Sequence, residues 1–431
     1  MSGYDMDSED PIRRRELLVS GGIAAAVLTA GCSGGGEEPE GTEEDDTTPS
    51  GDDESPSTDE EETPAETQDE DTPDETEGSA GPLTTEWATP YPDDIIDDRF
   101  AELGDFALGE QRAYVTSQNG ASVVAFDLAN GEILWRWEEY VERPAPALAY
   151  HEAVGPVAVL RSQGNNGDVY ALDAASGTVE WEYQREANGS RVAAATDQYV
   201  VAGSGTGVTV LDPADGSVVT EFGGLDGVDF GTPTKLAVDQ SSLFGVDTFA
   251  STLAAYDLET GDQRWQVSDF EVEQVGELSV VVVDGIAVGT DSSTVFGIDP
   301  GTEEVTFRLD VDAFDQELVG SDTRAFFINE IDPNESVRAI DATEGTIDWD
   351  QTGVRARPTT PALAGDRLIV NSSASLAVLD TASGDIVQSE FDPNTGVDPG
   401  VDFQTVRFLG ARGDRAAVTT PKAMYGLSIG N

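Results

Sequence analysis

The chain has 431 residues, with 85 Asp and Glu against 22 Lys and Arg, one Cys, one His and a net charge of −63. One Cys excludes an intrachain disulfide framework and any Cys-rich metal or iron–sulfur site, and one His excludes multi-His metal sites. No basic stripe exists to neutralise phosphates, so nucleic acid is not an expected partner, while 6 Trp, 10 Tyr and 16 Phe are enough for a core and exclude wholesale disorder.

The acidity has a particular texture. Lys occurs only at Lys235 and Lys422, so the other bases are Arg. Residues 1–31 hold 5 acids and 3 bases, and residues 37–78 hold 21 acids and no base, which leaves 59 acids against 19 bases, a charge of −40, on the rest. Such a charge opposes compaction in dilute buffer. At molar salt the Debye length falls to about 3 Å and the repulsion is screened. Sparse Lys with excess carboxylate resembles the proteome style of salt-loving archaea.

The first element is an address. Arg13-Arg14-Arg15-Glu16-Leu17-Leu18 leads into a weakly apolar stretch ending in Ala30-Gly31-Cys32. A basic segment, a short apolar segment and small residues before a cut make a signal peptide over 1–31. The apolar run of about 14 residues is short of the ~20 that span a bilayer. Arg14 and Arg15 with Leu17-Leu18 resemble the twin-arginine export signal. Leu28-Thr29-Ala30-Gly31-Cys32 resembles a lipobox, with Thr29 in the usual aliphatic place. The only Cys in the chain is thus the expected lipidation site, and two buried acyl chains at ~0.8 kcal/mol per CH₂ hold a protein stably on a membrane.

Residues 32–82 follow as the lipidated Cys32 and a tether of Glu, Asp, Thr, Ser and Pro. This composition cannot bury enough apolar surface to offset ordering entropy. A flexible coil of that length spans about 40 Å root-mean-square.

From residue 83 the chain repeats. An apolar-x-small-apolar-Asp phrase, three residues and then Gly occurs around Asp127 and Gly131, Asp173 and Gly177, Asp212 and Gly216, Asp257 and Gly261, Asp341 and Gly345, and Asp380 and Gly384. Asp299 lacks the matching Gly, and an eighth phrase near the end has Ser428 in the Asp position. Successive positions lie 46, 39, 45, 42, 42, 39 and 48 residues apart. A period near 43 in β-rich sequence predicts propeller blades of four antiparallel strands. Each phrase is a strand entering a tight turn, where Asp accepts backbone N–H groups and Gly takes φ > 0.

Four repeats extend to Ala-x-Asp-x-x-x-Gly-x-x-x-Trp, ending at Trp135, Trp181, Trp265 and Trp349. These resemble the tryptophan-docking repeat of the quinoprotein-dehydrogenase propellers, the PQQ-like repeat, over about 345 residues. The resemblance implies that each Trp stacks flat between blades against a small residue. Thr220, Phe307 and Gln388 stand in the Trp position elsewhere, and those seams are expected to be weaker. The last repeat stops before its outermost strand, while Thr84-Thr85-Glu86-Trp87-Ala88 stands alone before the first. Strand 83–89 is therefore expected to close an eight-bladed ring over 83–431, with seven blades the alternative.

The family includes enzymes that hold pyrroloquinoline quinone with a vicinal Cys pair and Ca²⁺. That pair is impossible here, so no catalytic residue and no cofactor is expected. The resemblance extends to BamB-like lipoproteins, which are not enzymes. Together with the export signal, the lipobox and the salt-adapted composition, it points to a lipid-anchored, non-catalytic scaffold on the extracellular face of the cytoplasmic membrane. Such a scaffold is a monomeric propeller, bound to the membrane by its anchor and to an unidentified envelope protein. The alternatives are a quinone-dependent dehydrogenase and an envelope receptor for a small ligand or polysaccharide. Asp392, Asn394 and Asp398 are a loosely Ca²⁺-like cluster without the full twelve-residue loop. Other Asp clusters, at 226 and 229 and at 310–315, fall between repeats. His151 is expected at an exposed blade edge, and Gly203–Gly207 in a hairpin. Asn188, Asn334 and Asn371 begin N-glycosylation sequons.

Overall fold

The third strand of each repeat is apolar at nearly every position because both of its faces are covered. In Ser122–Asp127, residues Val123, Val124, Ala125 and Phe126 are all fully buried. Val124 and Phe126 pack against Trp87 and Met424, while Val123 and Ala125 pack the other way, against Leu148 and Tyr170. A strand covered on both sides loses the polar–apolar alternation of a half-exposed one.

The computed structural model describes residues 81–92, 103–117, 122–138, 147–161, 167–184, 192–204, 207–223, 237–247, 252–267, 279–290, 294–311, 318–329, 336–354, 359–372, 375–397 and 406–430. The chain divides into two units, Met1–Pro73 and Asp74–Asn431, and every described residue belongs to the second. The strands form eight four-stranded antiparallel sheets. Blades 1 to 7 take consecutive strands over residues 103–138, 147–183, 192–223, 237–267, 279–310, 319–351 and 362–391. Eight hydrophobic clusters lie between neighbouring blades, one at each seam, and the ring closes between blade 8 and blade 1. This is an eight-bladed β-propeller, not a seven-bladed one.

Blade 8 is built from both ends of the chain. Its strands Phe408–Arg412, Arg415–Thr419 and Ala423–Ile429 are completed by Leu83–Pro90. The closing pair runs from Leu83 opposite Ile429 to Pro90 opposite Ala423, with one irregularity between Thr85 and Trp87. Beyond the ladder, Gly430 N–H donates to Pro82 O (2.6 Å) and Tyr91 N–H to Lys422 O (2.9 Å). The closing strand is one residue longer than expected, Pro90 included. Its Pro and its bulge both suit an outer edge.

Trp87 is 6% exposed and sits in the seam to blade 1. Trp349, facing blade 7, is only half-buried. Trp87→Ala should therefore cost about 3–5 kcal/mol, read by chemical denaturation at fixed salt, and Trp349→Ala measurably less. Deleting residues 83–90 should lower the melting temperature of the whole ring. Unchanged melting after that deletion would contradict closure by this strand.

Candidate functional site

The recurrent Asp, Gly and Trp come together at the blade seams. In blade 1, Asp127 Oδ1 accepts the Ala129 N–H (2.7 Å), and Gly131 N–H donates to Asp127 O (2.8 Å). The same turn forms at Asp173, Asp212, Asp257, Asp341 and Asp380. Gly131, Gly177, Gly216, Gly261, Gly345 and Gly384 all have φ between 64° and 74°. In blade 5, Glu303 fills the glycine position at φ 59° and keeps the hydrogen bond to Asp299 O (2.9 Å). The turn conformation is thus kept even where its usual residue is missing.

The glycine does a second job. Trp87, Trp135, Trp181 and Trp349 lie over Gly131, Gly177, Gly216 and Gly384 of the next blade. A Cβ would come within 2.5–2.6 Å of the indole at Gly177, Gly216 and Gly384. The indole N–H groups donate to Leu128 O (2.9 Å), Ala174 O (3.0 Å), Pro213 O (2.8 Å) and Thr381 O (3.1 Å), each the carbonyl just after the turn Asp position. The repeat's Ala has a different role: Ala125, Ala171, Ala255 and Ala339 are cross-strand partners of the Trp within the same blade.

Seams without Trp use other contacts. A Cβ on Gly261 would lie 3.0 Å from the Phe222 ring and 3.3 Å from Thr220 Oγ1, and Phe307 covers Gly345. The Gln388 side chain lies against Gly81 and accepts the Leu83 N–H (2.9 Å), so it holds the closing strand. The sequence did contain the signal for Phe222, which lies two residues after Thr220 and so shares its face.

Turn carboxylates are also held by side chains. Arg264 donates to Asp257 through Nη2 (2.7 Å) and Nε (3.1 Å). That pair, aided by the backbone amides of Thr260 and Glu259, holds the Asp257 carboxyl below its ordinary pKa. The Ser383 amide does the same first for Asp380, helped by Arg367 at 3.0 Å. The Ser176 hydroxyl and amide lower Asp173.

Every inner hairpin carries an Asp or Glu, from Glu110 in blade 1 to Asp414 in blade 8. Arg412 reaches across three blades, 3.8 Å from Glu110 and 3.7 Å from Glu152. Beside it, burial pushes the Tyr114 phenol up to about 12, and burial with the hydrogen bond to Glu152 raises Tyr150 further. Neither phenol supplies a base near neutral pH.

Other sequence candidates fall differently. Asn394 Oδ1 accepts from Tyr425 Oη (3.0 Å), and Asp392 Oδ1 accepts the Asn394 N–H (2.9 Å). With Thr85 Oγ1 donating to Pro393 O (2.7 Å), this loop secures blade 8. Asn371 is a correction: it is 3% exposed inside Arg367–Ser372, where packing leaves no room for a glycan. His151 is half-buried rather than exposed, its Nδ1 accepting the Ala153 N–H (3.3 Å). Residues 203–204 and 207 do lie in a hairpin, as expected. Arg14, Arg15, Cys32, Asn188, Asn334 and Asp398 lie outside the described residues. So do Asp226, Asp229, Asp312 and Asp315. Among the described residues, no three His, Cys, Asp or Glu groups are placed to hold a metal ion.

The family model described as outer membrane protein assembly factor BamB matches residues 84–222 and 232–395. No curated protein matches the chain. The crystal structure of BamB from Moraxella catarrhalis aligns with a TM-score of 0.57 at 15% identity, covering 80% of this chain and 100% of that one. At that identity the likeness shows the fold.

The packing orders the turn substitutions. Gly177→Ala should destabilise by at least ~2 kcal/mol, since a left-handed Cβ costs about 1–2 kcal/mol and this one also displaces Trp135. Gly261→Ala, with more clearance, should cost less, and Glu303→Gly should stabilise by ~1 kcal/mol. Denaturation midpoints at one salt concentration check all three.

Proposed function

The chain belongs to the BamB-type family of PQQ-like repeat proteins, and on that premise we propose that it is a non-catalytic, lipid-anchored scaffold for protein partners in the cell envelope. One observation carries this: the recurring Asp, Gly and Trp are engaged with one another across the seams. They build a stiff ring and leave its faces to binding. The sole Cys stands at position 32, far before the first blade, so the vicinal Cys pair of the quinone-binding enzymes has no counterpart in this sequence.

The anchor follows from the sequence. Arg14 and Arg15 direct export by the twin-arginine route, Cys32 carries the lipid, and the acidic stretch to residue 82 spaces the propeller from the extracellular face of the cytoplasmic membrane. The charge of −63 fits a protein that works in concentrated salt. The partner role in this chain is protein binding; outer membrane protein assembly is what the family description names for BamB.

Two measurements test this. Cys32→Ser should release the protein from the membrane fraction or stall its processing, and Arg14→Lys with Arg15→Lys should block export. Cross-linking of the full chain in whole cells should trap an envelope protein in fixed ratio. Recovery without a stoichiometric partner overturns the scaffold role.

The salt reading has its own check. Circular dichroism should show the β signal failing as salt falls from 1 M, where the Debye length is about 3 Å, to 0.1 M, where it is about 10 Å. A constant melting temperature across that range would contradict adaptation to high salt.

A further inference from the structure

Among the described residues no strand pairs with the outer edge of any blade, and blades 1, 2, 5 and 6 guard that edge with two or more charges where blade 3 has one. Such an edge is a template for another strand unless charge, Pro or irregularity blocks it. Blade 1 carries an Arg136–Glu138 ion pair along its outer strand. Blade 2 carries Glu180 and Glu182, blade 5 Glu304, Arg308 and Asp310, and blade 6 Asp348 and Asp350, while blade 4 has Arg264, itself drawn to Asp257, on a strand docked by Trp265. Blade 7 is broken by Glu390 at φ 52° and by two register shifts, and blade 8 ends in Pro90.

Blade 3 ends in Val218–Gly223, whose one charge is Glu221. That carboxylate is drawn aside: it accepts from Tyr183 Oη of blade 2 (2.8 Å) and from Thr209 Oγ1 (3.4 Å). Val218 and Val219 are 45% and 37% exposed, side by side. The strand is also the less tightly docked kind, because Thr220 replaces the Trp and no indole N–H ties it to blade 4.

Charge selects the occupant. Residues 192–223 contain four acids and no Lys or Arg, whereas each of the other seven blades holds at least one base. A second copy would bring the same carboxylates to the contact and be repelled. An extended segment bearing Lys or Arg beside β-branched side chains would pair its backbone with the edge and its apolar face with the two valines. The bulge at Val219 leaves Thr220–Gly223 as the regular part of the ladder, so the contact is short and exchangeable.

We propose that the outer edge of blade 3, Val218–Gly223, receives an extended basic segment of a partner protein as a fifth strand. This rests on the scaffold function above and names the surface that performs it.

The test uses the full chain at 0.5 M and 2 M NaCl with a capped octapeptide of alternating Val and Arg. A Val–Glu octapeptide and a Val–Arg octapeptide interrupted by Pro serve as controls. Hydrogen exchange at residues 218–223 should slow at least tenfold with the first peptide and with neither control. Val218→Lys with Val219→Lys should weaken peptide binding at least tenfold while leaving melting unchanged. Equal protection at the outer strands of blades 1 or 2, or none at 218–223, overturns the proposal. If the partner trapped by cross-linking binds that variant as well as it binds the natural chain, the edge assignment fails and the scaffold function stands.

Discussion

An indole lying flat on a bare glycine of the next blade is the contact on which this ring depends. It requires a turn that presents backbone instead of a side chain, and a left-handed residue at the turn's end. It also requires a carbonyl free to accept the indole N–H. The Asp-x-x-x-Gly turn meets all three conditions at once. Asp binds amides inside the turn, Gly supplies both φ > 0 and the absence of Cβ, and the carbonyl after Asp is left for Trp. Each repeat therefore carries one half of two different seams, and its stability belongs to its neighbours as much as to itself.

That logic explains why the chain ends are joined as they are. A propeller without its last seam would leave one blade face and one sheet edge exposed. Here the closing strand brings Trp87 to blade 1 while Gln388 of blade 7 takes hold of Leu83 at its start. The loop at 392–397 adds Thr85 and Tyr425 to the same fastening. Three elements distant in sequence thus meet at the only blade not made from a continuous run of chain.

Substitution at the seams changes how each outer strand is fastened. At Trp87, Trp135, Trp181 and Trp349 the outer strand is pinned by a ring contact and a hydrogen bond. In blade 3, Thr220 and Phe222 keep the seam apolar but without that bond, and the strand's solvent face carries two valines. The apolar pair that opens the outer strand is exposed with or without a following Trp, at Ile133 and Leu134 in blade 1 as at Val218 and Val219 in blade 3.

The repeat, its period and the closure by residues 83–89 were legible in the sequence, because turn chemistry and apolar runs are local and recur seven times. Trp87 stood out since an indole beside no blade of its own has to find one. Other features needed the tertiary structure. Asn371 reads as a sequon by three adjacent residues, but the stacking of blades decides that its strand is buried on both faces. Asp392 and Asn394 read as paired ligands, yet Tyr425, 31 positions from Asn394, takes up the Asn394 oxygen. Glu303 shows the limit from the other side: the missing glycine was visible, but not that the chain would hold the left-handed turn without it. Sequence by itself determined which residues recur and hence the blade. Only the three-dimensional arrangement decided which surfaces of each blade stay open, because exposure depends on neighbours about 40 residues away along the chain.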